Sequence, residues 1–160
     1  MFVCMSDTYT VQRSTTIEAS PDAVYARIID FRQWTDWSPW DDMDPSMDKT
    51  FSGADAGIGA KYSWSGNRKV GQGNMEITDA TEPSSVQIAL EFLKPFKASN
   101  TTVFKLQPAG TGTGVTWAMT GRNTFMTKVM GIFKSMDKMV GPDFERGLRR
   151  LKTAAETGSD

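Results

Sequence analysis

The 160-residue sequence contains no histidine. This absence excludes Ser-His and Cys-His nucleophilic machinery, zinc sites that need imidazole, and the commonest general base near neutral pH. Neither a catalytic residue nor a metal site is therefore expected.

Cys4 is the only cysteine, which excludes an internal disulfide and fits a reducing compartment, so the cytoplasm is the expected location. No stretch approaches the roughly 18 apolar residues of a membrane-spanning helix, so membrane insertion is not expected.

The chain also lacks an excess of either charge. Lys and Arg number 18 against 19 Asp and Glu, which gives a net charge of -1, and the two signs are interspersed. Nothing in this balance favours nucleic acid or an anionic membrane, so the expected partner is an uncharged or weakly charged small molecule. The length fits a single domain over residues 1–160, with an ordered core over about 8–157 and either a monomer or a homodimer as the assembly.

The start of the chain predicts a strand followed by a helix. Residues 8–18 alternate between apolar and polar positions, which is typical of a half-buried strand. Ser20 and Pro21 form a helix-start signal, because the serine side chain caps the first turn and a proline there loses no hydrogen bond. An apolar stripe then predicts a helix that ends near Asp30.

A segment rich in aromatics follows, with Trp34, Trp37 and Trp40 spaced by three residues. On a helical turn these side chains would cluster on one side. They form either a lid over a binding pocket or a set of anchors that fixes a short irregular segment to the sheet. The sequence leaves both interpretations open.

From about residue 47 to residue 121, glycine and proline punctuate short alternating segments, which predicts a meander of antiparallel strands. Each segment is apolar on one face only, so helices must cover that face. The residues that share an apolar face are Tyr62 with Trp64, Met75 with Ile77, Val86 with Ile88, Leu90 and Phe92, and Val115 with Trp117 and Met119. Gly71 and Gly73 suit a bulge or a close backbone approach within a strand.

The C-terminal stretch supplies a covering helix. Apolar residues recur there at steps of three or four from Val129 to Ala155. An unbroken helix over 125–156 would be about 48 Å long, too long for a domain of this size. We therefore expect a short helix near 126–134 and a longer one ending near 157, with the break at Gly141 and Pro142 or at Lys134 and Ser135.

This order of strand, short helices, meander and long helix resembles a known family. The residues that carry the match are Val11 to Ile17, Ser20, Pro21, Val24, Asp30, Phe31, Trp34, Trp37 to Trp40, Tyr62, Trp64, Gly66, Asn67, Gly71, Gly73, Met75, Ile77, Phe92, Lys94 to Phe96, Val115, Trp117, Met119, Gly121, Met136, Asp137, Met139, Gly141, Phe144, Gly147, Leu148 and Leu151. Together they resemble the START-like (SRPBCC) superfamily, specifically the proteins grouped as polyketide cyclase or dehydrase. The resemblance covers residues 9–157.

The resemblance implies an α+β helix-grip fold, in which a curved seven-stranded antiparallel sheet surrounds the last helix and encloses a cavity. The residues expected to line this cavity are Trp37, Trp40, Tyr62, Trp64, Met75, Phe92, Trp117, Met119, Met130, Phe133 and Met136. The alternative interpretation of each, above all of the methionines, is an ordinary core residue. Methionine is flexible and polarisable, so a wall rich in it adapts to ligands of differing shape.

Arg13 is the polar residue singled out on this face. In a regular strand it points inward beside Val11, where a guanidinium needs a protein carboxylate or a ligand anion, whereas a bulge would turn it outward.

Two other motifs do not predict a binding site. The run from Asp42 to Asp48 lacks the glycine and glutamate of a calcium loop, and Gly57 with Gly59 lacks the helix of a dinucleotide site, so no cofactor is expected.

The function expected from these features is binding of a hydrophobic small molecule, a lipid or a polyketide-like compound, in the internal cavity. The alternative is a cyclase or dehydrase that uses the same cavity, with Tyr62 and Arg13 polarising carbonyl groups. A third option is an accessory protein that binds a partner through Trp37 to Trp40 or an exposed sheet edge.

Overall fold

A computed structural model describes residues 8–67, 70–94, 98–122 and 136–157, and the statements below concern those residues. They form one antiparallel sheet of seven strands, three α-helices and a 3-10 helix. In chain order these elements are β1 (Thr8–Ile17), α1 (Pro21–Ile29), the 3-10 helix (Phe31–Asp36), α2 (Trp40–Met43), β2 (Asp48–Gly53), β3 (Ala60–Ser65), β4 (Gln72–Thr81), β5 (Ser85–Lys94), β6 (Ala98–Ala109), β7 (Gly112–Arg122) and α3 (Met136–Thr157).

The sheet has the spatial order β1-β7-β6-β5-β4-β3-β2, so β1 and β2 are its two edges. Strands β2 to β7 form a meander, and β1 pairs with β7 without a register shift from Thr8 to Ile17. The sheet is curved, and α3 packs against it together with the short helices that follow β1. The predicted helix-grip fold is confirmed.

Helix α1 begins and ends as predicted. The Ser20 hydroxyl accepts a hydrogen bond from the Ala23 backbone N–H at 3.2 Å, and Pro21 occupies the first turn. Val24 and Ile28 are fully buried, which gives the helix its core-facing stripe. Asp30 ends the helix, and its carboxylate accepts from the Arg32 N–H at 2.9 Å to start the 3-10 helix.

The break predicted at Gly141 and Pro142 is wrong, because α3 runs continuously through both residues. A proline inside a helix removes one backbone hydrogen bond. The helix continues because Phe144, Leu148 and Leu151, each at most 2% exposed, pack its next turns into the core. The other candidate break, at 134–135, and the short helix expected near 126–134 lie outside the described residues. The predicted end of the long helix near residue 157 is confirmed.

Side chains near the edge of the sheet bond backbone groups of β1 and of the residue that follows it. Lys152 donates to the Thr16 carbonyl at 3.1 Å, and the Glu18 N–H donates to the Glu156 carboxylate at 2.8 Å. The Arg13 guanidinium donates to the Gln12 carbonyl at 2.8 Å. This edge strand is therefore fastened to α3 by polar contacts as well as by apolar packing. None of the described helices is both long and apolar enough to cross a membrane.

Candidate functional site

The concave face of the sheet carries two groups of aromatic side chains. The first is a buried ring cluster centred on Trp117, which is 2% exposed. Trp117 is stacked between Phe144, at 4.1 Å between ring centroids and 7° between planes, and Phe104, at 4.9 Å and 29°. Trp37 and Trp40 lie nearly perpendicular to it, both at 81°. Trp37 and Trp117 are thus packed among rings.

Two of the three tryptophans spaced by three residues form hydrogen bonds to the end of α1. The Trp34 indole N–H donates to the Ile28 carbonyl and the Trp37 indole N–H to the Arg27 carbonyl, both at 2.9 Å. The last carbonyls of a helix have no partner within the helix, so these indoles satisfy them. Trp34 and Trp37 are therefore held against the C-terminal end of α1.

Two arginines of α3 hold the loop that presents Trp40. Arg146 donates to the Pro39 carbonyl at 3.2 Å, and Arg150 donates to the Ser38 carbonyl at 3.1 Å. Because both acceptors are backbone atoms, the contact fixes the path of the chain. The aromatic segment is therefore fastened to α1 at one end and to α3 at the other.

One polar atom of the buried ring cluster is unpaired. The Trp117 indole nitrogen is fully enclosed and is the only such side-chain atom without a hydrogen-bond partner in the described part of the chain. Phe104 and Phe144 cover the two faces of the ring, so the perpendicular rings of Trp37 and Trp40 lie along its edge.

The second group is an aromatic row made of Phe51, Tyr62, Trp64 and Phe92 on the same face of β2, β3 and β5. Successive ring centroids are 5.2, 6.0 and 5.8 Å apart. All four side chains are only partly buried, unlike Trp37 and Trp117. Phe31 links the row to the buried ring cluster, since it contacts Tyr62 at 5.9 Å. The row is thus the accessible part of a continuous aromatic surface.

Trp64 is fixed on two sides. Its indole N–H donates to the Val70 carbonyl at 2.8 Å. Its ring lies over Gly73, where an added Cβ would stand 2.6 Å from Cη2 of the indole and would overlap the Glu91 carbonyl oxygen. The register between β4 and β5 shifts between Gln72 and Gly73. The close backbone approach and the strand irregularity predicted at Gly73 are therefore confirmed. The missing side chain leaves space for the Trp64 ring.

The loop beside Trp64 is anchored by Asp44. Its carboxylate accepts from the Asn67 N–H at 2.7 Å and from the Ser46 hydroxyl at 3.0 Å and N–H at 3.2 Å. These bonds, above all that from Asn67, hold the pKa of the Asp44 carboxyl below its ordinary value. No group of three or more potential metal ligands occurs among the described residues.

Replacing Asp44 with asparagine is expected to lower the melting temperature at neutral pH. A carboxyl whose pKa is lowered by folding stabilises the protein above its unfolded pKa of 3.8, and this contribution disappears as the pH falls through the lower folded value. The melting curves of wild type and Asp44→Asn should therefore differ at pH 7 and converge in acid. A difference that stays constant from pH 7 into acid would contradict this role.

The remaining residues predicted to line a cavity are distributed as follows. Met75 and Met119 lie on the concave face and are 8% and 3% exposed. Met130 and Phe133 lie outside the described residues, as does the side chain of Met136. Between β1 and α3 the surface forms a groove of about 320 Å³ that borders Arg13, Glu145 and Arg149.

Arg13 lies on the same face as Val11, because β1 is regular and pairs Arg13 with Trp117. Its Nε is 2.8 Å from a carboxylate oxygen of Glu145, so the protein itself supplies the carboxylate that an inward guanidinium needs. Gly141 leaves room for it, since an added Cβ there would stand 2.8 Å from Cζ of Arg13.

Sequence reasoning missed a polar group on the concave face. Tyr9 donates a hydrogen bond of 2.5 Å to the Asn100 side-chain oxygen, and Thr102 lies two residues further along β6. Asn100 and Thr102 are 7% and 4% exposed, and burial raises the pKa of the Tyr9 phenol. The available signal was the alternation of β6, which places both polar residues on the same face as Phe104 and Leu106.

Comparison with known proteins identifies relatives of this fold. Residues 8–156 match the model of a family described as polyketide cyclase / dehydrase and lipid transport. No curated protein matches the chain.

Several solved structures share the architecture at low sequence identity. A protein from Chromobacterium violaceum is 13% identical over 92% of this chain and 96% of its own, with a TM-score of 0.67. One from Mycobacterium smegmatis is 21% identical over 94% and 92%, with a TM-score of 0.64. The Aha1 dimer from Colwellia psychrerythraea is 16% identical over 94% and 98%, with a TM-score of 0.62. These likenesses concern the fold.

Proposed function

This chain belongs to the polyketide cyclase / dehydrase and lipid transport family, and from that premise we propose that it binds an apolar small molecule, a lipid or a polyketide-like compound, on the concave face of its sheet. The observation that carries the proposal is the aromatic row. Phe51, Tyr62, Trp64 and Phe92 remain partly accessible, whereas the rings beside them are buried. Covering such a surface with an apolar ligand contributes about 25 cal/mol per Å² of area removed from water.

The fixed geometry of the row supports binding. The ring planes of Tyr62 and Trp64 are nearly parallel, at 21°, and the Phe92 ring is nearly perpendicular to Trp64, at 86°. The three rings therefore present two apolar surfaces at about a right angle. Trp64 is already held by Val70 and seated on Gly73. A ligand that docks there orders few side chains, which reduces the entropic cost of binding.

The lining of the site follows from this arrangement. Tyr62, Trp64 and Phe92 contact the ligand directly, and Met75 of β4 and Met119 of β7 complete the concave face. Behind them Trp37, Trp40 and Trp117 form a packed wall. Met130, Phe133 and Met136 remain predicted lining residues, and the enclosed cavity remains a prediction from the sequence.

Binding is favoured over cyclase or dehydrase chemistry by the position of Arg13. In the cyclase interpretation, Tyr62 and Arg13 polarise substrate carbonyls on the concave face. The Arg13 guanidinium is instead paired with Glu145 and bonded to the Gln12 carbonyl. A ligand-binding role requires only the apolar surface.

The test uses N-phenyl-1-naphthylamine, an uncharged apolar fluorophore. We expect saturable fluorescence enhancement with wild type and an affinity about tenfold weaker with Phe92→Ala, since tenfold corresponds to roughly 55 Å² of lost apolar contact. The matched control is Ile58→Ala, which removes an apolar side chain that is 60% exposed and should leave the affinity unchanged. Absence of saturable binding to wild type, or equal affinities of Phe92→Ala and wild type, would contradict the proposal.

A further inference from the structure

The polar group on the concave face is built around a glycine. Gly121 of β7 lies between Tyr9 and Asn100 in the register of the sheet. An added Cβ at Gly121 would overlap the Asn100 side-chain oxygen and stand 2.6 Å from the Tyr9 hydroxyl. The tyrosine therefore reaches across the glycine to Asn100, and its hydrogen bond fixes the orientation of the amide.

Two donors beside this bond are not used by the described residues. Tyr9 occupies the oxygen of the Asn100 amide, and neither the amide nitrogen nor the Thr102 hydroxyl bonds another described residue. Both side chains are more than nine-tenths buried on a central strand. Neither donor atom is fully enclosed, because the Trp117 indole nitrogen is the only fully enclosed side-chain atom without a partner among the described residues. A ligand on the concave face can therefore bring an oxygen acceptor to these donors.

The surroundings of the two donors are apolar. Across the sheet, Asn100 is paired with Leu90, and Thr102 lies between Ile88 and Met119. Ile88 is fully buried and Met119 is 3% exposed, so apolar side chains surround the polar group on the concave face. In such surroundings a hydrogen bond fixes the orientation of a ligand whose body is held by apolar contacts.

We infer that Asn100 and Thr102, with Tyr9 as a positioning residue, form a subsite that binds a carbonyl or hydroxyl oxygen of the ligand. This inference rests on the proposed function and adds to it the chemical class of the ligand, an apolar molecule with an oxygen acceptor. The aromatic row holds the body of the ligand, and the subsite selects the oxygenated compound from its hydrocarbon counterpart.

The experiment compares fluorenone with fluorene, which share a planar ring system and differ by one carbonyl oxygen. Their dissociation constants are measured by tryptophan fluorescence and by calorimetry with wild type and with Asn100→Leu/Thr102→Val. The preference for fluorenone over fluorene should fall about tenfold in the double variant, the effect of one lost hydrogen bond, while the affinity for fluorene stays within about twofold. Thr101→Val, on the exposed face of the same strand, is the matched control and should retain the wild-type preference.

The outcomes separate the two proposals. An unchanged preference in the double variant, with both compounds still bound, would overturn the subsite and leave the apolar site standing. Failure of wild type to bind either compound would overturn both. Circular dichroism and the melting temperature establish that the double variant is folded, and Tyr9→Phe provides a second variant. It frees the amide to rotate and should reduce the preference without changing the affinity for fluorene.

Discussion

Trp117→Ala is expected to lower the free energy of unfolding by about 3–5 kcal/mol, the range found when a large core aromatic is truncated. Trp117 is stacked between Phe104 and Phe144, with Trp37 and Trp40 along its edge, so the alanine variant leaves a hole lined by four rings. Urea denaturation followed by far-ultraviolet circular dichroism measures the change. Near-ultraviolet signals would be less suitable, because the mutation removes one of the chromophores.

Trp117→Phe is the control for this prediction. It keeps an aromatic ring between Phe104 and Phe144 and removes the indole N–H that has no hydrogen-bond partner. The loss of volume is smaller and the unpaired polar group disappears, so the expected destabilisation is roughly 1–2 kcal/mol. If Trp117→Ala cost no more than Trp117→Phe, the ring would border empty space, and Trp117 would be a cavity wall instead of a core residue.

Gly112→Ala is expected to destabilise the protein by about 2–3 kcal/mol, as overpacking against backbone atoms does. An added Cβ at Gly112 would overlap the Ile17 carbonyl oxygen and stand 3.0 Å from the Ile17 carbonyl carbon and 3.1 Å from the Glu18 Cα. These are backbone atoms at the end of β1, so they cannot rotate away as a side chain would. Relief requires β1 and β7 to separate where their pairing begins.

Gly114→Ala is the matched control, two residues along the same strand. An added Cβ there meets nothing closer than 3.7 Å, which is ordinary van der Waals contact. The free energy of unfolding of Gly114→Ala should lie within about 0.5 kcal/mol of the wild-type value. Alanine lowers the conformational entropy of the unfolded chain and causes no steric strain in the folded one. Melting temperatures of the two variants test the contrast, and equal values would refute the crowding at Gly112.

The fold was predictable because its signals are local. Alternation identified the inward faces of the strands, and Ser20 with Pro21 marked the start of α1. Of the two candidate breaks, the one at Gly141 and Pro142 was wrong because tertiary packing outweighs local propensity. Phe144 and Leu148 bury the turns that follow the proline, and Gly141 accommodates Arg13 from the other end of the sequence.

The site was less predictable, because its features depend on contacts between distant residues. Periodicity placed Trp34 and Trp37 near one another, but it could not show that their indoles bond the last carbonyls of α1. Likewise, Asn100 and Thr102 are ordinary strand residues until Tyr9 reaches Asn100 across Gly121, from 91 positions away in the chain. The partly accessible aromatic row was predicted in part, since Tyr62, Trp64 and Phe92 were expected to line a ligand cavity.

The side-chain bonds to the backbone of β1 also obstruct pairing of this edge with another molecule. An edge strand with unpaired backbone groups is a template for adding a strand from another molecule, which leads to domain-swapped or aggregated species. Here the Gln12 and Thr16 carbonyls and the Glu18 N–H are occupied by Arg13, Lys152 and Glu156. A strand added along these positions would have to displace those side chains, two of which belong to α3, so α3 hinders self-association through this part of β1 while it completes the core.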